Sequence, residues 1–384
     1  MRVSWFLLVL SGGVLLQAAT AVARPMASYR ALEIGMAPEF LGFVAAAFAI
    51  APLAFALSIG RLIDRFGEVS FLFGSALMMV VSSVALAFVG SAVGLLALIA
   101  LLGLSQLVFV VANQTLIASR TPAKEYDRRF GHLSFVASFG QLIGPAGAGL
   151  IAGEGSPEGT TLALLFGAGL SMASVPLIAH AARRDPGPVV PLTAERPARP
   201  PVLSILRMPG MGAAMLASTT VLATMDVLVV YLPALGEERG LAAATVGALL
   251  AVRAAGSMVS RLMLGRLVTF FGRDRLMLLS LVVSAVSVIT LAIAPLPVMF
   301  VLMAVAGLTL GVCQPITMSW VAARATAGSL GTAMSLRLMG NRLGQVLIPV
   351  AAGSMAAFTG TAGVLAATGL TVAASAAIVA ATRE

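Results

Sequence analysis

Charged side chains are scarce in this sequence: Asp, Glu, Lys and Arg together fill 10% of its 384 positions, against roughly 25% in a soluble domain. That excludes a protein whose surface is hydrated all round. Cysteine occurs once, as Cys313 inside an apolar run, which excludes a disulfide framework and a cysteine metal cluster. Histidine occurs twice, as His132 and His180, with no metal-ligand spacing. Lys124 is the single lysine among 24 basic residues, a bias that points to a high-GC bacterial source and carries no mechanism. The chain has no G-x-S-x-G elbow, no H-E-x-x-H pair and no G-x-x-x-x-G-K-[ST] loop, so hydrolase, zinc-protease and nucleotide-cradling chemistries lose their usual residues. No cofactor or metal is expected, and no ATP-driven pump.

Apolar residues are abundant instead. They make up 59% of the chain, and glycine, at 39 residues, raises the total to about 69%, where a soluble domain reaches roughly 45–50%. A helix needs about 20 mainly apolar residues to cross a bilayer. Such runs fall near 4–23, 40–60, 69–89, 94–118, 132–153, 161–182, 211–235, 245–267, 276–294, 298–320, 331–352 and 361–381. The pattern predicts an all-α membrane protein of twelve transmembrane helices. The longest polar interruption, 183–207, holds six prolines and a cluster of arginines. It divides the chain into a six-helix bundle over 1–182, a linker and a second six-helix bundle over 208–384.

The net charge is +9, but the basic residues stand at the ends of apolar runs rather than along one polar face, so nucleic acid is not an expected partner. Short cytoplasmic loops collect Lys and Arg. With the N-terminus inside, seventeen of the 24 basic residues are cytoplasmic and three, Arg24, Arg30 and Arg239, are outside. Both termini are thus expected in the cytoplasm, with the protein in a bacterial inner membrane. Arg24 and Pro25 are expected to close the first helix at the outer surface. A competing reading takes Arg2, the apolar run from Trp5 to Leu16 and Ala21-Val22-Ala23 as a cleaved secretory signal, which would leave eleven helices.

The two halves echo each other. Gly60-Arg61-Leu62 with Gly67 returns as Gly265-Arg266-Leu267 with Gly272, offset by 205, and Gly140-Gln141-Leu142-Ile143-Gly144-Pro145 returns as Gly344-Gln345-Val346-Leu347-Ile348-Pro349, offset by 204. Parallel repeats of this kind are a transporter architecture with the substrate site between them. The stretch Gly60-Arg61-Leu62-Ile63-Asp64-Arg65-Phe66-Gly67 matches a G-x-L-x-D-R-x-G signature, and on these motifs the chain resembles the major facilitator superfamily over essentially its whole length. The resemblance implies a cytoplasmic gate carried by Gly60, Arg61, Asp64, Arg65 and Gly67. Gly60 and Gly67 would form a tight turn there, and Asp64 would stand ahead of the third helix, where its charge suits the helix dipole. The second copy has Thr269 where the acid would be, so a charge-dependent latch depends on the first copy.

In the fifth helix Gly131, Gly140, Gly144, Pro145 and Gly149 resemble the superfamily's antiporter pattern, with Ala148 replacing one glycine. Close helix packing is the alternative use of the same residues. The superfamily's drug–proton antiporters commonly place an arginine inside the fourth helix. Here that region reads Gly103-Leu104-Ser105-Gln106 and then Asn113-Gln114, which weakens drug export.

Charge inside a bilayer needs a reason, since it costs about 2.5–3.5 kcal/mol on insertion scales. Asp226 and Arg253 lie at nearly equal depth on the seventh and eighth helices and form a candidate ion pair, either locking the hairpin or holding the carboxylate that carries a coupled proton. In the eleventh helix Arg337, Asn341 and Gln345 form one stripe at i, i+4 and i+8, with Arg342 on a neighbouring face. Gln17, Gln106, Asn113, Gln141, Gln314, Asn341, Arg342 and Gln345 are the candidate cavity residues. Arg253 and Arg342 would make the C-terminal side attractive to an anionic group. Together these readings describe a monomeric secondary active transporter, not an enzyme, that moves a small organic substrate by alternating access, with proton-coupled efflux as the preferred direction. A uniporter or proton symporter for a metabolite, and a membrane sensor that has lost transport, are the alternatives.

Overall fold

Long apolar segments in a medium without water must satisfy their own backbone groups, and the helix does this within one segment. The computed structural model of the protein describes residues 5–120, 126–153, 156–184, 211–324 and 330–381. Its helices are α1 (Trp5–Glu33), α2 (Leu41–Phe66), α3 (Glu68–Phe88), α4 (Ala92–Ser119), α5 (Tyr126–Ala152), α6 (Pro157–Arg183), α7 (Met211–Glu238), α8 (Ala243–Phe271), α9 (Arg273–Leu291) and α10 (Leu296–Arg324). A last helical stretch, Leu330–Ala381, breaks at Gly360, whose φ of 67° and ψ of −173° are not helical. It therefore comprises α11 (330–359) and α12 (361–381). Eleven of these segments meet a length-and-composition criterion for membrane spans, and α11 completes the twelve among the described residues. The expected linker lies outside the described residues apart from Arg183 and Arg184.

Two expectations about helix ends fail. Pro25 does not close α1, which runs on to Glu33 with Pro25 inside it. Arg24 is therefore a helix residue, its guanidinium 4.3 Å from the centre of the Phe48 ring. Arg30, placed in a loop by the sequence reading, is buried: it donates to the Ala87 carbonyl at 2.8 Å and to Thr161 Oγ1 at 2.6 Å, and pairs with Glu33 at 3.0 Å. One side chain thus ties the end of α1 to the end of α3 and the start of α6, which rewards continuing the helix past proline. The second failure is Gly60. It is helical, and α2 continues through Arg61, Asp64 and Arg65 to Phe66. The whole turn into α3 is Gly67, at φ 86°, and its repeat Gly272 joins α8 to α9 at φ 74°. Both angles lie in the left-handed region that a Cβ disfavours. The side chains of Arg61, Asp64 and Arg65 lie outside the described residues.

Contacts divide the chain into two units. The first is Met1–Met36, Ala47–Glu195 and Gly240–Ala251; the second is Ala37–Ala46, Arg196–Arg239 and Val252–Glu384. In the first, α1 packs against α3, α4, α5 and α6; in the second, α7 packs on α10 and α11, and α9 on α10 and α12. The first turns of α2 belong to the second unit and the first turns of α8 to the first. Glycine makes both placements possible. A Cβ on Gly42 of α2 would stand 2.5 Å from the Pro349 carbonyl oxygen of α11, and one on Gly247 of α8 would overlap the Pro145 carbonyl of α5. Gly42 and Gly247 differ by 205, and Pro145 and Pro349 by 204, the same offsets as the repeated motifs. The same copying holds deeper down, where Gly103 of α4 lies on the Phe48 backbone of α2 and Gly307 of α10 on the Arg253 backbone of α8.

Filling either seam should be costly. Gly42→Val and Gly247→Val are each expected to lower stability by about 1–3 kcal/mol, the range for overpacked sites, seen as a reduced midpoint of thermal unfolding in detergent. Gly74→Val, where a Cβ meets nothing within 4 Å, is the control. Equal midpoints for Gly247→Val and Gly74→Val would show that the seam bears no load.

Candidate functional site

Polar side chains on apolar helices cluster wherever they can satisfy one another. The second unit holds the richer cluster. Asp226 sits mid-way along α7 and is 3% exposed. Gln345 of α11, equally buried, donates from Nε2 to Asp226 Oδ2 at 2.5 Å. Arg342 Nη1 donates to the same amide's Oε1 at 3.0 Å. The Gln345 amide is thus a bridge with a cation on its acceptor and an anion on its donor. One turn away, Thr219 of α7 donates to Asn341 Oδ1 at 3.5 Å. Further along α11, Arg337 Nη2 donates to the Gln314 carbonyl at 3.2 Å, to Gln314 Oε1 at 2.7 Å and to Thr317 Oγ1 at 3.0 Å. Gln314 Nε2 in turn donates to the Ser218 carbonyl at 3.1 Å. The stripe read at i, i+4 and i+8 therefore faces α7 and α10, and each of its three members is buried. Arg253 is 4% exposed in the same unit.

The first unit answers with neutral groups. Gln106 Nε2 of α4 donates to Gln17 Oε1 of α1 at 2.7 Å, and Thr20 Oγ1 donates to Gln106 Oε1 at 2.9 Å. Thr20 had no signal in the sequence, because a lone threonine in an apolar helix usually bonds to its own backbone. Asn113 shares a face with Gln106 but joins no network. It is 1% exposed, and neither Nδ2 nor Oδ1 has a hydrogen-bond partner among the described residues. It lines a small, mainly apolar pocket with Trp5, Gly13, Val69, Phe109 and Ile178. Gln141, the repeat of Gln345, is half-buried and makes no hydrogen bond with a described residue. The repeat in sequence is thus not a repeat in chemistry.

The α5 glycines are packing surfaces. Gly140 lies against Gln17 and Ala18, Gly144 against Ala18 and Ala21, and Gly149 against Ala243 and Gly247. The surroundings of Gly131 lie outside the described residues. Near the one-residue turn at Gly67, the first residue of α3 does work that sequence reading missed: Glu68, 5% exposed, pairs with Arg120 at the end of α4 at 3.1 Å.

A family model described as the Major Facilitator Superfamily matches residues 9–241 and 214–384. No curated protein matches the sequence. Solved structures do resemble it. The nucleoside transporter NupG is 13% identical with a TM-score of 0.79 over the whole of both chains. The D-xylose-proton symporter is 16% identical with a TM-score of 0.77, covering 97% of this chain and 96% of that one. A bacterial homolog of the human lysosomal transporter Spinster, in an inward-facing and occupied conformation, is 14% identical with a TM-score of 0.77, covering 98% and 96%. At such identities the likeness is one of fold.

Three substitutions test the polar groups just described. Arg120→Met takes a guanidinium from the buried Glu68 and is expected to cost up to about 3–5 kcal/mol; Glu68→Gln with Arg120→Met should recover part of it in thermal unfolding. Asn113→Leu removes an amide with two unmet hydrogen bonds, each unmet group costing about 1–3 kcal/mol, so it should raise the unfolding midpoint. A lowered midpoint would mean that the amide is satisfied in the membrane-embedded protein.

Proposed function

The chain belongs to the major facilitator superfamily, and from that membership we propose that it is a proton-coupled secondary transporter in which Asp226 carries the proton. A transporter of this superfamily is not an enzyme, and its working parts are helices that exchange packing partners. In this reading the two repeats, 1–182 and 208–384, rock about a small organic substrate held near the midplane. The protein acts as a monomer in a bacterial inner membrane with both termini in the cytoplasm.

The observation that carries the proposal is the setting of Asp226. It is the one acid inside α7–α12 away from the helix ends, it is almost fully buried, and a neutral amide links it to Arg342. A carboxylate so placed can hold or release a proton, and the Gln345 amide can keep a bond to it in either state by turning about its own axis. The D-xylose-proton symporter among the structural neighbours supports proton coupling on this fold. The α5 motif implies efflux by exchange. Its glycines also serve in helix packing, and proton and substrate moving together, as in the D-xylose-proton symporter of similar fold, is the second reading.

Reconstitution in liposomes with an internal pH-sensitive dye separates these readings when antibiotics, sugars, organic acids and amino acids are added in turn. Substrate-dependent proton flux is expected, and Asp226→Asn, close to isosteric, should abolish it while leaving substrate counterflow measurable. Proton movement opposite to the substrate means exchange; movement with it means symport. Proton-driven transport that survives Asp226→Asn would remove Asp226 from the mechanism, and counterflow with no proton movement in the wild type would make the protein a uniporter.

A further inference from the structure

Asn113 is the one side-chain amide among the described residues whose nitrogen and oxygen are both buried and both without a hydrogen bond. Unmet groups of this kind are costly and therefore rare. Gln17 and Gln106 of the same unit show the usual remedy, for they bond to each other and Thr20 joins them.

Asn113 has space beside it instead. The pocket that it lines is walled by α1, α3, α4 and α6, through residues such as Trp5, Val69, Phe109 and Ile178. All of these belong to the first unit, so the pocket is complete without the second. Two adjacent glycines of α1 help to open it. A Cβ on Gly12 would stand 3.5 Å from Ile178, its nearest neighbour, and one on Gly13 would stand 3.5 Å from Asn113 Nδ2. Each glycine thus leaves a methyl-sized gap, and the second gap lies directly against the amide. From Trp5 to Gly13 the lining residues extend about 12 Å along α1.

The wall also sets the chemistry of an occupant. No charged side chain is among the described residues that line it, and Asn113 and the Trp5 indole N–H are their only polar side-chain groups. An ordered water needs about two to four polar partners, which this wall is poorly made to supply. A small molecule with an apolar body can rest on the remaining wall and ask only for the amide. The amide offers one donor side and one acceptor side. A primary carboxamide answers both at once, its carbonyl accepting from Nδ2 and its N–H donating to Oδ1.

We propose that the first unit carries a binding site of its own, for a small neutral molecule with an apolar body and a carboxamide that pairs with Asn113. Its occupant touches α1, α3, α4 and α6 together and so ties four helices of one unit to one another. The site does not rest on the transport reading, because Trp5 stands in its wall and reports occupancy whether or not anything is moved.

The chain has two tryptophans, Trp5 and Trp320. The test is a fluorescence titration of the full chain carrying Trp320→Phe in phosphatidylcholine nanodiscs, where Trp5 alone emits. Propionamide and isobutyramide are the probes. The matching methyl ketones keep the acceptor and lose the donor, and propionate and isobutyrate add a charge. At least one amide is expected to change Trp5 emission saturably, with its ketone and its acid each weaker by about tenfold. Asn113→Leu should abolish the preference for amide over ketone. Gly12→Ala, which leaves Asn113 in place, should weaken both alike by filling the pocket; it also decides the matter if Asn113→Leu does not fold. The proposal is overturned if no amide gives a saturable change, if a ketone or an acid matches its amide, or if the preference survives Asn113→Leu. It is overturned equally if Gly12→Ala binds the amide as tightly as before, or if only phosphatidylcholine with brominated chains quenches Trp5, which would make the pocket a seat for a lipid chain.

Discussion

Inside a bilayer there is no water to complete a hydrogen bond or to screen a charge, and this constraint organises the molecule. It makes every spanning segment a helix. It also makes each polar side chain on those helices seek a partner on another helix, so the few that exist decide which helices meet. Gln17 and Thr20 bind α1 to α4 through Gln106. Gln345 binds α11 to α7, and Gln314 joins α10 to both α7 and α11. Arg30 gathers three helix ends. Apolar packing alone could not select among neighbours here, because lipid tails are as apolar as leucine.

Glycine does the complementary job. Where no side chain can bond across, backbones must approach closely for dispersion to hold the helices together. The close approaches come in duplicate: Gly103 with Phe48 and Gly307 with Arg253, then Gly42 with Pro349 and Gly247 with Pro145. Each pair preserves the sequence offsets of 204 and 205. Backbone geometry has thus been kept across the repeat while the side chains have diverged. The second crossing carries Arg253 where the first carries Phe48, and Gln345 engages Asp226 where Gln141 engages no described residue. Packing is common to both repeats, whereas the polar groups it buries are not.

The fold was readable in the sequence because its signal is coarse: about twenty apolar residues, repeated twelve times, with turns marked by charge. Helix ends were less readable, since they depend on partners far away in the chain. Pro25 reads as a stop, and only the acceptors that Ala87 and Thr161 offer to Arg30 explain why α1 continues. The turn signature was readable as a motif but not as a shape, for a run that looks like a loop is helix up to Gly67. The α11 stripe was readable from its spacing. Its partners were not: equal depth suggested Arg253 for Asp226, and no periodicity could reveal that Gln345 reaches the same carboxylate.

That last point bears on how such a protein can work. The Gln345 amide touches Asp226 with its donor and Arg342 with its acceptor, so one neutral dipole completes a bond at each end. Neutral intermediaries recur at Arg337, which is held by Gln314 and Thr317. Amide and hydroxyl partners can be exchanged for one another at the cost of a single hydrogen bond, so helices joined in this way can part and re-join more readily than helices locked by a buried ion pair.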